Sequence, residues 1–276
     1  MSIKTRMIKE RVYFFLSYVS VGITLFILGS IIFYTFINGF RSWNLDFFLL
    51  PGSSPLDPRQ GIAHAIQGSV IVSFTAAALA TPISILAAIY LSEYASDKIR
   101  GYISNILEIM ASIPSIVVGI ITYLLFVEPL RTFSAFAGSM ALTIMMIPYM
   151  TRVCEDIFLS IGKEYREAGL ALGLHKWKVS AYIVLRMGMG GIITGFALAF
   201  GRIFGETAPL LFTALGSRTF FTGFLNPVSS MTLLIYEYSK SPFETWINIA
   251  WGAAALLMII ILFINILIRF VVGKRI

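Results

Sequence analysis

Long apolar stretches alternate with short polar connections along this chain. Six stretches stand out, at about 12–37, 64–91, 102–127, 135–159, 187–215 and 246–271. Each is long enough to carry a helix across hydrocarbon, which takes ~20 residues. Backbone groups in lipid must be satisfied within the segment, so such runs are expected as helices. The pattern predicts one all-α domain over residues 1–276, a polytopic bundle of six membrane helices. Composition agrees: 58% of residues are hydrophobic and only 13% are charged, too few charges for an ordinary soluble domain. The charged N-terminal segment leads into an apolar run too long for a signal-peptide core, so a retained first helix is expected.

The formal charge of +7 does not imply nucleic acid, because the basic residues cluster beside the apolar runs. One side collects Lys4, Arg6, Lys9, Arg11, Lys98, Arg100, Lys163, Arg166, Lys176, Lys178, Arg186, Arg269, Lys274 and Arg275, fourteen in all. The other holds Arg41, Arg59, Arg131, Arg218 and Lys240, which is five. The richer side is expected to be cytoplasmic, with both termini there, in a multi-pass protein of the plasma membrane contacting lipid. An even number of crossings then follows, and six satisfies it. A single cysteine, Cys154, excludes an internal disulfide framework. With two scattered histidines it makes no metal site, so neither metal nor cofactor is expected.

Of the external connections, 38–63 is turn-rich, with Pro51, Gly52, Pro55 and Pro58. In 216–245 the middle, Phe220–Leu225, is too apolar for free solvent. It either folds back into a cavity or caps a pore, or it lies on the membrane surface, and both readings stand. Pro82, Pro114 and Pro148 fall inside spans, where a missing N–H tends to kink a helix.

Two polar features remain. The longest cytoplasmic connection, 161–186, places Ala168, Ala171, Leu172 and Leu174 on one helical face. Gly173 allows a turn, and a second short helix is expected from Lys176 to Leu185. Helices this short need a partner surface, and Glu164, Arg166 and Glu167 are placed to pair at its rim. The second feature is intramembrane charge. Arg202 and Glu206, four apart in span five, are expected to pair on one face. Arg152 and Asp156 form a similar pair in span four, near Glu155 and Pro148. Charge near the membrane centre costs at least ~2.5–3.5 kcal/mol and marks a substrate path or a register-fixing pair.

Glu167-Ala168-Gly169, Gly173, then Ile183-Val184-Leu185 at the same spacing resembles the EAA loop of ABC importer permeases, a family with the type I importer fold. Two positions depart from that pattern: Gly169 replaces an alanine and Arg186 a proline. The run Gly201–Pro209, Ser112–Gly119, and Pro148 followed by Arg152 and Glu155 resemble the phosphate permeases of that family, the PstA type. The resemblance implies that Glu167, Ala168, Gly169 and Gly173 form the coupling loop to a separate ATPase. It implies that Arg202, Arg152 and Glu206 lie on the substrate path, with Glu206 tempering Arg202. The implied partners are two copies of an ATP-binding ABC subunit, a second related permease and an extracytoplasmic phosphate-binding protein. The chain itself has no Gly-x-x-x-x-Gly-Lys-Ser/Thr loop, since Gly162-Lys163 is followed by Glu164. It is expected to be no enzyme. Two rivals stand beside this reading. One is a permease for another oxyanion such as sulfate or molybdate. The other is a motor-independent anion channel or carrier.

Overall fold

A computed structural model describes residues 3–57 and 59–273, with the side chains of 3–9, 267–269 and 271–273 left aside. Pro58, Lys274 and Arg275, and the side chains of Lys4, Arg6, Lys9 and Arg269, therefore lie outside the described residues. Among the described residues the chain is all helical, with one isolated bridge between Leu215 and Val228.

The helices are α1 (Ile3–Phe40), α2 (Leu45–Leu49), α3 (Ala63–Tyr94), α4 (Asp97–Ser112), α5 (Ser115–Leu130) and α6 (Ala135–Ser160). They continue as α7 (Lys163–Ala171), α8 (Lys176–Phe204), α9 (Ala208–Thr213), α10 (Met231–Ser239) and α11 (Glu244–Gly273). Among the described residues four helices, α1, α3, α8 and α11, are long and apolar enough to cross a membrane. The bent pair α4–α5 makes a fifth span if its two pieces count as one. The expected span 135–159 coincides with α6, 26 residues long. It carries Arg152, Glu155 and Asp156 and is the central helix of the bundle, lined by buried Leu142, Met146, Met150, Cys154 and Phe158.

Two of the expected spans are not continuous helices. The 102–127 stretch breaks at Ile113–Pro114, and the two pieces meet at 96°. Proline lacks the N–H that would continue α4 and biases Ile113 away from helix, and Ile113 is extended (φ −60°, ψ 129°). Pro82 and Pro148, by contrast, lie inside unbroken helices. The 187–215 stretch ends as helix at Phe204, with Gly205 as its C-cap. Pro209 stands four residues on, where its ring crowds the Gly205 carbonyl and it offers no N–H to it, which together with the glycine favours the break. The chain restarts as α9. The short helix expected at 176–185 is likewise not separate, because α8 runs unbroken from Lys176 to Phe204.

Small residues set the packing directions. Thr143 Oγ1 donates to Ala76 O at 3.5 Å and Ser84 Oγ to Ile147 O at 3.3 Å, so α3 and α6 run parallel. A Cβ on Gly188, Gly191 or Gly195 would meet Phe158, Ile157 and Val153 in turn, within 3.0 Å, so α8 runs antiparallel to α6 at close range. Helix α1 joins α11 at one end, where Ser42 Oγ donates to Asn248 O (2.7 Å) and Trp43 Nε1 to Gly252 O (3.1 Å).

The apolar loop after α9 neither buries itself nor merely lies flat. It caps α6: the Asn226 and Phe224 carbonyls accept from Ala135 N (3.0 Å) and Phe136 N (2.8 Å), while Ser134 Oγ accepts from Ala137 N (3.1 Å). The first amides of a helix have no internal partner, and in an apolar setting leaving them bare is costly. Phe220, Phe224 and Leu225 stay half exposed. Next comes α10, a helix inside the connection 216–245, which is expected as loop.

A Cβ on Gly119 in α5 would stand 2.8 Å from Pro209 Cα in α9, so these two pieces pack backbone against backbone. Gly119→Ala is expected to cost about 1–3 kcal/mol through overpacking. Gly101→Ala, with nothing within 4 Å, is expected to be neutral or slightly stabilising. Thermal unfolding of the purified chain in detergent checks the pair.

Candidate functional site

The two breaks face each other. The Ile113–Pro114 break and, through Arg202, the last turn of α8 just before the Gly205 break border one cavity of about 220 Å³. Met110, Ile113, Val118, Met145, Tyr149 and Arg202 line it, with Arg202 the cation among the lining residues. Its depth follows from α6, which at ~1.5 Å per residue is about 39 Å long with Tyr149 near its middle. Arg202 lies beside Tyr149, its Cζ 5.9 Å from the ring centroid, at the edge of cation–π range. Arg202 thus sits near mid-bundle, on the last turn of a helix that stops there.

Arg202 does not pair with Glu206. Among the described residues no carboxylate lies within 4.0 Å of its guanidinium, and it makes no hydrogen bond. The pairing expected at i,i+4 requires continuous helix, and Gly205 ends the helix between them. The tempering role expected of Glu206 loses its geometry for the same reason. What Glu206 contributes is its backbone: its carbonyl accepts from Thr232 Oγ1 at 2.8 Å. Thr232 lies in the first turn of α10, capped by Ser230 Oγ, so α10 holds the non-helical segment in place.

Arg152 stands one turn from Tyr149 on α6, and i,i+3 positions are neighbours. Its Nη1 is 3.2 Å from Glu155 Oε2 and its Nε 3.9 Å from Asp156 Oδ1. The expected Arg152–Asp156 pair is present, but Glu155 is the nearer partner. Glu155 is fully buried and also accepts from Ser104 Oγ of α4 at 3.2 Å to both oxygens. Arg152 is therefore neutralised, whereas Arg202 is not.

At the other end of α6 and α8, the loop expected to dock a partner forms as α7 and a tight turn. Gly173 takes φ +79°, and Gly173 N and Leu174 N return to the Leu170 and Gly169 carbonyls (2.9 and 3.2 Å). This Schellman pattern needs a left-handed residue, which glycine supplies without strain. Gly169 has a packing reason for departing from alanine: a Cβ there would stand 2.7 Å from Ile183 Cδ1 and 3.0 Å from Val179 Cγ2. Glu167 and Ala168 are exposed, and Leu172 (83% exposed) and Trp177 (57%) present apolar surface beside them. Arg166 does not sit at the rim as expected. It turns inward to Glu93 at the end of α3, with Nη2–Oε1 at 2.6 Å and Nε at 2.9 and 3.1 Å from the two oxygens. Local spacing gives no sign of this pair, since the partners are 73 residues apart.

Residues 80–275 match the family described as binding-protein-dependent transport system inner membrane component. The chain is 38% identical over 255 residues to the phosphate transport system permease protein PstA of Haemophilus influenzae, covering 92% of this chain and 90% of that protein. It is 35% identical over 268 residues to PstA of Yersinia pestis, covering 97% and 91%. Its fold is similar to a solved chain of a bacterial alginate ABC transporter in complex with alginate pentasaccharide-bound periplasmic protein. The TM-score there is 0.66 at 15% identity, covering 96% of this chain and 95% of that one. At that identity the likeness is one of fold.

Thr232→Val removes the bond to the Glu206 carbonyl and is expected to destabilise the chain by about 0.6–1.7 kcal/mol. Glu206→Gln keeps that carbonyl and is expected to change stability by less than about 0.5 kcal/mol. Unfolding titrations of both variants in mixed micelles measure the difference.

Proposed function

The chain belongs to the binding-protein-dependent transport inner-membrane components, among the PstA-type permeases, and from that membership we propose that it forms part of the phosphate pathway of an ATP-driven importer. It is a translocation component of the plasma membrane rather than an enzyme. The observation that carries the substrate reading is Arg202, a guanidinium without a counter-charge among the described residues, at the meeting of two broken helices. A charge at that depth is costly unless water, an aromatic face or an anion answers it. Guanidinium is always charged and presents a rigid fork of donors that matches phosphate oxygens. One unpaired cation gives attraction, the lining residues Met110, Ile113 and Val118 are apolar, and beside Arg202 the Tyr149 hydroxyl is a neutral donor, so the anion meets a single charge. A conduit must release what it binds.

Arg152 is the second station, one helical turn along α6, with its charge tempered by Glu155 and Asp156. The tempering once expected of Glu206 fits these two residues better. We place α7 and the Gly173 turn, with Glu167, Ala168 and Gly169, on the cytoplasmic face, as the coupling surface for an ATP-binding ABC subunit. The exposed apolar residues Leu172 and Trp177 support that reading, because apolar surface of this kind marks contact sites. The fourteen-to-five split of basic residues supports cytoplasmic termini and a crossing role for all six expected spans. The full assembly in this reading has two ATP-binding subunits, a second related permease and an extracytoplasmic phosphate-binding protein.

Arg202→Ala is expected to lower ATP-driven uptake of labelled phosphate by about ten- to a hundredfold, the worth of a charged hydrogen bond of ~1.5–3 kcal/mol. Arg202→Lys is expected to recover part of it. Uptake into proteoliposomes holding the reconstituted complex checks this. Sulfate uptake without phosphate uptake by the wild-type complex contradicts the substrate assignment.

A further inference from the structure

Arg166, turned inward, is the most heavily bonded side chain at the α7 end of the bundle. Nε and Nη2 clasp the Glu93 carboxylate. Nη1 donates to Ile161 O (2.6 Å) and Gly162 O (3.3 Å), and Nη2 also donates to Phe158 O (2.7 Å). One guanidinium from α7 therefore joins the end of α3 to the terminal carbonyls of α6. Phe158 O lies in the last turn of α6 and also accepts from Ile161 N (3.3 Å), Ile161 is the C-cap of α6 and Gly162 the N-cap of α7. The negative end of the α6 dipole favours a cation there.

The pair is sequestered: the Glu93 side chain is 4% exposed and that of Arg166 18%. At a membrane edge a carboxylate and a guanidinium can both reach water, and burying them together is weak evidence for stability. What burial with this many directed bonds does fix is geometry. Glu93 lies in the π-helical stretch Tyr90–Tyr94 that ends α3, and such wide turns recur at functional sites. A second tie runs alongside. Tyr94 of the same stretch faces α8, with Lys176 Nζ 4.8 Å over its ring and its hydroxyl 3.5 Å from Ser180 Oγ. Gly169 of α7 seats on Val179 and Ile183 of α8. Hence α7 is fastened to three helices at once, and Arg166 makes the fastening to two of them.

We propose that Arg166 and Glu93 are positioning residues for coupling. They lock α7 to the ends of α3 and α6, so that displacement of α7 by a docked ATPase passes into the helices bordering the Arg202 cavity instead of being lost in loop motion. Helix α6 carries Tyr149 and Arg152, so the joint lies on the same rigid rod as the anion path. The proposal rests on the reading of α7 as the coupling surface.

The test uses the complete reconstituted importer with Arg166→Lys, Glu93→Gln and the double variant. Lysine keeps the charge but lacks the planar fork that reaches a carboxylate and three carbonyls together. Three quantities are read: co-purification of the ATPase subunit, basal ATP hydrolysis, and labelled inorganic phosphate moved per ATP hydrolysed. Assembly and basal hydrolysis are expected to stay within about twofold of wild type in each variant, while phosphate moved per ATP falls about tenfold. The double variant is expected to be no worse than the singles, because groups acting as one unit are non-additive. Wild-type coupling in either single variant overturns the proposal. So does loss of assembly in both, which would make the pair a folding element only. If the wild-type complex moves sulfate and no phosphate, the substrate reading fails while the joint is still tested by sulfate moved per ATP.

Discussion

Hydrocarbon tolerates neither bare backbone nor bare charge, and this bundle holds both about half-way along its length, on a face where Arg202 and Gly205 are exposed. Helix α8 stops at Phe204, α4 stops at Ser112, and Arg202 stands between the two ends without a carboxylate partner among the described residues. Non-helical backbone at this depth persists only where protein or a water-filled cavity surrounds it. Here α5 and α9 press together through Gly119 and Pro209, and α10 reaches in with Thr232 to hold the Glu206 carbonyl. Those contacts keep the broken segments from unravelling. The guanidinium is left facing the cavity, with the Tyr149 ring beside it.

The two ends of α6 are treated differently, and the difference follows from its charges. Its N-terminal amides are closed by the loop at Phe224–Asn226 and by Ser134, which makes that end rigid. Its C-terminal carbonyls are closed by Arg166, a side chain belonging to the exposed helix α7. One end is closed largely by the chain's own backbone and the other by a side chain of the exposed helix α7. Tyr149 and Arg152 lie on α6 between these two closed ends.

Much of this is legible in the chain, and what is not has separate physical causes. Apolar length revealed the helical membrane bundle, and the spacing Glu167, Gly173, Ile183 revealed the α7 turn. The reading failed where a helix stops inside an apolar run. Apolar runs on both sides of Gly205–Pro209 join by length into one expected span, although Glu206 and Thr207 interrupt the hydropathy there and glycine followed four residues later by proline signals a break. Placing Glu206 on the same helix as Arg202 then produced a pair that the geometry lacks. Helix α10 was missed because it is short and lies in a connection already assigned as loop. Glu93–Arg166 and Ser104–Glu155 were out of reach for a different reason, since partners 73 and 51 residues apart leave no local pattern.

The central claim is that Arg202 and the two helix breaks border a polar-accessible path and not lipid. Cysteine placed at Ile113 or Tyr149, in a chain whose single native Cys154 is replaced by serine, tests it directly. Reaction is followed with a charged, membrane-impermeant thiol reagent in the assembled complex. The account predicts labelling at both positions, slowed by added phosphate and altered when ATP is supplied. Labelling by lipid-soluble reagents alone, with phosphate and ATP making no difference, would place position 202 against acyl chains and contradict it.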